Sequence, residues 1–234
     1  MTPRRAAQPQ TKSWGGKYDD QLRRQALAVR NLGRTILIRF NYEMTNNREN
    51  TCFTGFPVKT NPALAGEKYI AAWRHVVNIF RAAGASNVQW VWAPGASAYL
   101  KSLWSQFYPG ASYVDWIGID DYNKTDEPKS FAADPAIQTF YSQTSGLGKP
   151  LMIAETGAVN DSRHATDAQT EWLNTARDFL KSHPAIKAVL YWNGNGKFAR
   201  ENPDYGGSGY KLQGAGLAAF RAMANDPYFA DTPH

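Results

Sequence analysis

The sequence of 234 residues is poor in the groups that build disulfides and metal sites. It has one cysteine, Cys52, which excludes an intrachain disulfide. Its four histidines are scattered and lack the spacing typical of zinc ligands. No other motif requires a prosthetic group, so we expect no metal and no organic cofactor.

Long apolar segments and dinucleotide-binding motifs are also missing. No apolar run approaches the ~20 residues of a membrane-spanning helix, so we expect no membrane partner. The first ten residues contain two arginines and no apolar core, and as they stand they do not form a signal peptide. No Gly-x-Gly-x-x-Gly sequence follows a predicted strand, which argues against a doubly wound nucleotide-binding sheet.

The net charge of +6 is unevenly distributed. Residues 1–34 carry eight basic and two acidic side chains, whereas the rest of the chain carries 18 of each. A solvated helix face and a loose N-terminus explain this excess without a phosphate-binding surface. Nucleic acid is therefore not an expected partner.

Strand and helix patterns alternate along the chain after a polar leader loop at 1–16. Strand patterns cover 35–41, 88–93, 114–120, 151–154 and 188–192, and helical spacing covers 18–32, 66–83, 98–107, 135–144, 165–182 and 214–225. Repeated βα units predict an α/β fold with a parallel sheet. A (β/α)8 TIM-type barrel fits better than a doubly wound sheet, because chemistry-bearing residues recur at the C-terminal ends of several strands.

Two glutamates close apolar strands. Glu43 closes the segment that begins at Thr35, and Glu155 closes the segment that begins at Pro150. Parallel α/β enzymes place catalytic groups at such strand ends. Glycoside hydrolysis requires two carboxyl groups across one cleft, so we predict that Glu43 and Glu155 work as a pair.

Side-chain alternation extends this candidate site to Arg39. Along an extended strand, Leu37, Arg39, Asn41 and Glu43 face the same way, which places Arg39 beneath Glu43. A buried arginine needs an anionic partner, and the second glutamate is the predicted one. Alternatively, Arg39 only seals the barrel end by bonding carbonyl groups.

The segment that begins at Tyr113 adds further candidates. Alternation places Asp120 and Tyr122 on one face at the strand end, where a phenol can donate to a carboxylate, and turns Asp121 to the other face as a structural residue. Trp192 and Trp92 also lie near strand ends. They are predicted to be platforms on which a sugar stacks, although either could instead be core.

Seven segments, in order between residues 16 and 229, resemble glycoside hydrolase family 26. They are Arg39-Phe-Asn-Tyr-Glu-Met, Ala72-Trp-Arg-His, Asn87-Val-Gln-Trp-Val-Trp-Ala-Pro, Tyr108-Pro-Gly, Tyr113-Val-Asp-Trp-Ile-Gly-Ile-Asp-Asp-Tyr-Asn, Gly148-Lys-Pro-Leu-Met-Ile-Ala-Glu-Thr-Gly and Ala185-Ile-Lys-Ala-Val-Leu-Tyr-Trp-Asn. The resemblance implies a (β/α)8 barrel and a secreted, retaining endo-β-glycosidase. Its partner would be a polysaccharide, mainly β-1,4-mannan, with β-1,3-xylan or mixed-linkage β-glucan as alternatives.

The resemblance also implies roles for the candidate residues. Glu43, on the fourth strand of the family's barrel, would be the acid/base, and Glu155, on the seventh, the nucleophile. Arg39 and Tyr122 would support the nucleophile by hydrogen bonding, with Asp120 nearby and Trp192 as a sugar platform.

Two departures from the family pattern concern the acid/base and its loop. Tyr42 stands where the family usually has histidine, and the following stretch lacks the family's Asn-Gly and aromatic-rich sequence. Phe53 and Phe56 are possible substitutes in that wall of the cleft. A catalytically silent carbohydrate-binding relative is therefore a second hypothesis, which the two intact glutamates oppose.

The predicted strands match positions four to eight of the resembled barrel. Three βα units of roughly 30 residues each would precede them, but only 34 residues do. We expect residues 17–234 to form a single catalytic domain that lacks the first two βα units. Such an open barrel would be poorly stable and weakly active by itself.

Overall fold

The computed structural model describes residues 16–45, 60–124, 129–159, 168–194 and 209–229. In chain order the elements are α1 (Asp19–Arg30), β1 (Ile36–Ile38), α2 (Pro62–Ala82), β2 (Val88–Trp92), α3 (Ala96–Leu100), β3 (Trp116–Asn123), α4 (Pro135–Thr144), β4 (Leu151–Ala158), α5 (Ala168–Ser182), β5 (Ile186–Tyr191) and α6 (Gly214–Ala224). Short 3-10 turns cover Trp104–Phe107, Ala111–Tyr113 and Ser145–Leu147.

The five strands of the described residues form one parallel sheet in the order β1-β2-β3-β4-β5. Each strand pairs with the next one along the chain, as in a barrel, whereas a doubly wound sheet reverses its order at a switch point. The α/β fold of (β/α)-barrel type is thereby confirmed, and the part of the chain that the structure describes has five strands, as predicted. The C-terminal ends of all five strands lie at one edge of the sheet.

The two faces of the sheet differ in character. Ile117, Ile119, Leu151 and Ile153 face the helices and join the large core cluster. The inner face carries smaller side chains, and Val91, Ala93, Met152 and Ala154 form its buried cluster. On this inner face Gly118 lies between Ala93 and Ala154, and a Cβ at Gly118 would lie 3.1 Å from the Cβ of each.

Among the described residues, none of the helices combines the length and the apolar composition needed to span a membrane.

Capping residues set the beginnings of α2 and α4. The Asp134 side chain accepts hydrogen bonds from the first turn of α4, and Pro135 follows, so the helix has the predicted bounds. Asn61 and Pro62 act in the same way on α2, which therefore begins four residues before the predicted start. The predicted helix at 98–107 is wrong as a single element, because Ser102 adopts φ 53° and separates α3 from a 3-10 turn.

Asp121 lies on the helix-facing side of β3, as alternation predicts for a structural residue. It is 7% exposed and lies near Asp134, the cap of α4. Burial raises the pKa of the Asp121 carboxyl well above its usual value, and the charge of Asp134 acts in the same direction. Ionisation of Asp121 is thus unfavourable in the folded protein.

The Asp121→Asn variant should therefore gain stability relative to the native protein as pH rises. Between the ordinary pKa of about 3.9 and the raised folded value, only the unfolded chain ionises, and this destabilises the native fold by up to about 1.4 kcal/mol per pH unit. Urea unfolding at pH 4 and pH 7 measures the difference. The exposed Asp20 provides the control Asp20→Asn. Equal pH slopes for the native protein and Asp121→Asn would contradict this account.

Candidate active site

Glu155 lies on an irregular part of β4. The strand was predicted to end at Ala154, but it continues to Ala158. Ile119 pairs with Ile153 and Asp120 with Glu155, so Ala154 is an extra residue on β4, a β-bulge. On the helix-facing side Thr156 follows Ile153, and Trp172 of α5 donates to the Thr156 hydroxyl at 3.0 Å. The bulge therefore leaves both Ala154 and Glu155 on the inner side.

Arg39 connects three groups at this point of the sheet. One terminal nitrogen donates to Glu155 Oε1 at 2.8 Å and to the Ala154 carbonyl at 3.2 Å. The other donates to Asp120 Oδ2 at 2.5 Å. The predicted contact with the second glutamate is present, and so is the carbonyl contact of the alternative interpretation. Arg39 thus connects the carboxyl groups of Asp120 and Glu155 with the main chain of β4.

Tyr122 is the second donor to Glu155. Its hydroxyl lies 2.6 Å from Glu155 Oε2, so each carboxylate oxygen of Glu155 accepts a hydrogen bond. Burial, followed by the hydrogen bond to Glu155, raises the pKa of the Tyr122 phenol far above its usual value. The phenol consequently stays protonated as a donor. Two donors in this geometry fix the orientation of the carboxylate and stabilise negative charge on it.

Asp120 is buried beneath Arg39, with a side chain exposed by 0%. Burial raises its pKa to about 8 against the opposing charge of Arg39, and the charges of Glu155 and Glu43 raise it further. Burial thus favours the protonated form of the Asp120 carboxyl, whereas the short contact with Arg39 favours the ionised form.

Glu43 lies at the same edge of the sheet, near enough for its charge to raise the pKa of both Asp120 and Tyr122. It does not arrive there by strand alternation, however. The strand ends at Ile38, and Asn41 and Glu43 have φ values of 47° and 52°. A turn positions Glu43, and its N–H donates to the Ala93 carbonyl at the end of β2 at 3.0 Å.

Two aromatic side chains stand at the exposed edge of this group. The Tyr42 ring covers Arg39, with 4.7 Å between the ring centroid and the guanidinium carbon, and is 51% exposed. Trp192 follows β5, and its backbone N–H donates to the Thr156 carbonyl at 2.7 Å. Half of the Trp192 side chain is exposed, so its ring is available to a ligand.

Trp92 does not reach the site. It is fully buried on the helix-facing side of β2, where its ring packs against Tyr108 and Trp104 at 5.2 and 6.3 Å between centroids. The prediction of a sugar platform at Trp92 is wrong, since its neighbours Val91 and Ala93 occupy the inward positions. Phe53 and Phe56 lie outside the described residues.

Tyr210 is a member of the site that the sequence analysis missed. It precedes α6, and its ring centroid lies 4.9 Å from that of Tyr122. A tyrosine in a glycine-rich connection has no periodicity or motif that would distinguish it. Within the described residues, no group of three or more histidine, cysteine or acidic side chains could hold a metal ion.

The sequence profile of glycosyl hydrolase family 26 matches residues 36–182, which include Arg39, Glu43, Asp120, Tyr122 and Glu155. The chain is 30% identical to Endoglucanase H of Acetivibrio thermocellus over 192 residues, which are 77% of this chain and 20% of that protein. It is 33% identical to a mannan endo-1,4-beta-mannosidase of Bacillus subtilis over 131 residues, 55% of this chain and 32% of that protein.

Solved structures of endo-beta-1,4-mannanases have a fold similar to that of this chain. A modular endo-beta-1,4-mannanase from Cellulomonas fimi superposes with a TM-score of 0.60 at 21% identity, over 92% of this chain and 48% of that chain. The catalytic domain of an endo-beta-1,4-mannanase from Bacillus sp. JAMB-750 superposes with a TM-score of 0.63 at 18% identity, over 90% and 56%. The chain thus spans about half of these structures and a third or less of the two curated relatives. With more than half of its residues matched by the family profile, it belongs to glycosyl hydrolase family 26.

Proposed function

We propose that the protein is a retaining endo-β-glycosidase in which Glu155 is the nucleophile and Glu43 the acid/base. The observation that carries this proposal is the environment of Glu155, whose two oxygens accept hydrogen bonds from Arg39 and Tyr122 while Glu43 lies at the same sheet edge. An oriented, negatively charged carboxylate next to a second carboxyl group suits covalent glycoside hydrolysis.

The reaction proceeds in two displacements. Glu155 attacks the anomeric carbon as the glycosidic C–O bond breaks, and Glu43 transfers its proton to the leaving oxygen. Glu43 then takes a proton from water, which attacks the anomeric carbon and releases Glu155 with net retention. This route needs the two carboxyl groups about 5–5.5 Å apart, against about 6.5–9.5 Å for inversion.

For the substrate we propose β-1,4-mannan. Mannan-cleaving names recur among both the sequence relatives and the solved structures. The match to Endoglucanase H extends over more of this chain and supports a β-glucan as the second candidate. We also propose that the protein acts outside the cell, where such polymers occur.

Product analysis tests the proposal. The intact protein is incubated with β-1,4-mannan, mixed-linkage β-glucan and β-1,3-xylan, and the anomeric form of the first product is followed by NMR. We expect a ladder of manno-oligosaccharides with initial β-configuration. An initial α-product would exclude retention, and release from glucan or xylan alone would exclude mannan. Retardation in a mannan affinity gel without hydrolysis of any of the polymers would establish the silent binding protein instead.

Trp192→Ala should lower kcat/KM on the polysaccharide about ten- to a hundredfold. The bound sugar would cover the exposed Trp192 ring, and loss of such a contact costs about 1.5–3 kcal/mol. The fold should persist, since half of this side chain is already exposed. Circular dichroism and thermal melting check the fold. Tyr18→Ala removes an aromatic side chain of similar exposure at the start of α1 and serves as the control. Unfolding of the Trp192 variant would show that the ring is core.

A further inference from the structure

The side chain that packs against the Tyr122 ring comes from a segment outside the sheet. Tyr122 on β3 pairs in register with Gly157 on β4, which offers no side chain for the cross-strand contact that usually stabilises such positions. The Tyr210 ring lies there instead, tilted by 41° to the Tyr122 ring at 4.9 Å between centroids. It packs directly on Gly157, because a Cβ at that residue would lie 3.0 Å from Tyr210 Cδ1.

The segment around Tyr210 is itself anchored to the end of the sheet. The Tyr210 N–H donates to the Gly194 carbonyl, just beyond β5, at 3.2 Å. The buried Gln169 of α5 donates to the carbonyls of Lys211 and Ala158 at 3.1 and 3.0 Å, which ties the segment to the end of β4. Tyr210 is therefore held from two sides, independently of its contact with Tyr122.

We propose that Tyr210 is a positioning residue for the reaction, one that acts on Glu155 through Tyr122. The Tyr210 ring restricts rotation of the Tyr122 side chain and so maintains the 2.6 Å hydrogen bond from the Tyr122 hydroxyl to Glu155 Oε2. A Cβ at Gly157 would lie 3.0–3.2 Å from Tyr210, so a side chain there would require the Tyr210 ring to shift by a few tenths of an ångström. This inference rests on the proposed role of Glu155 as nucleophile.

Kinetics of three variants of the intact protein test the proposal. Tyr210→Ala should lower kcat about ten- to a hundredfold with little change in KM, the scale of loss expected from a misplaced reacting group. Tyr210→Phe should retain most of the activity, because the ring makes the contact. Gly157→Ala should cause a smaller loss in the same direction, because its Cβ would push the Tyr210 ring away from its present position. Gly146→Ala is the matched control, since a Cβ there meets nothing within 4 Å.

A double-mutant cycle separates positioning from substrate binding or general destabilisation. In a Tyr122→Phe background there is no hydroxyl to position, so Tyr210→Ala should cause no further loss of kcat. Full additivity of the two losses would overturn the proposal. A rise in KM that persists in the Tyr122→Phe background would also overturn it, because Tyr210 would then contact the sugar itself.

A spectroscopic measurement does not depend on turnover. In protein labelled with fluorotyrosine, the Tyr122 resonance is assigned by its absence from Tyr122→Phe. We expect it to shift and narrow in Tyr210→Ala, as the ring gains freedom, but not in Tyr210→Phe. An unchanged resonance would overturn the positioning role. Full activity of Glu155→Gln would instead overturn the proposed function, so the two failures are distinguishable.

Discussion

Glu155→Ala should lose at least about 10⁴-fold in kcat on every substrate, the scale of loss seen when a covalent nucleophile or its essential partner is removed. The methyl group of alanine cannot form the glycosyl-enzyme, and no leaving group, however good, replaces that bond. The loss should therefore be as large with an activated aryl glycoside as with the polymer.

Two further variants make the result specific. Glu155→Gln retains one amide oxygen that can accept from Arg39, while its amide NH2 can donate to the Tyr122 hydroxyl, so this variant should be equally inactive but better folded. Glu171→Ala, at an exposed glutamate in the first turn of α5, should behave as the native protein does. Activity of Glu155→Gln within tenfold of the native value would exclude Glu155 as nucleophile.

Glu43→Ala should show losses that depend on the leaving group. On the polysaccharide, kcat/KM should fall by about 10²–10⁴, the usual contribution of general acid–base catalysis. With an aryl glycoside whose leaving group needs no proton, formation of the glycosyl-enzyme should persist and its hydrolysis should become rate-limiting. A burst of aryl alcohol followed by slow turnover is the expected time course.

Azide provides the second half of this test. As an anion it attacks the glycosyl-enzyme without a base, so it should accelerate turnover of Glu43→Ala and yield the β-glycosyl azide. It should leave Glu155→Ala unchanged, because that variant forms no intermediate. Equal losses on both substrates, with no effect of azide, would show that Glu43 is not the acid/base.

The sequence predicted the parts of the structure that depend on local patterns. Alternation of apolar strands with amphipathic helices gave the number and order of the strands. Asp134 and Pro135 are strong start signals, and α4 has its predicted bounds. The Arg39 contact with Glu155 followed from the need of a buried arginine for an anion.

Predictions failed where the outcome depends on another strand or on a connection. The insertion of Ala154 is defined only by the pairing of β4 with β3, so alternation within one segment does not reveal it. Trp92 was predicted to be a sugar platform with core as the alternative, and it is core, since a tryptophan near a strand end has the same local pattern in either role. Glu43 reaches the site through a turn with positive φ, which a strand pattern does not contain.

The bulge at Ala154 limits how this site can be transferred to another scaffold. A regular parallel strand directs its carbonyl groups sideways into the ladder, whereas the irregularity leaves the Ala154 carbonyl to Arg39, one residue before the glutamate that the same guanidinium binds. A designer who grafts only the side chains of Arg39, Tyr122 and Glu155 onto a regular barrel would reproduce the carboxylate but not this main-chain contact. The graft requires one inserted residue, and a search restricted to point substitutions would never find it.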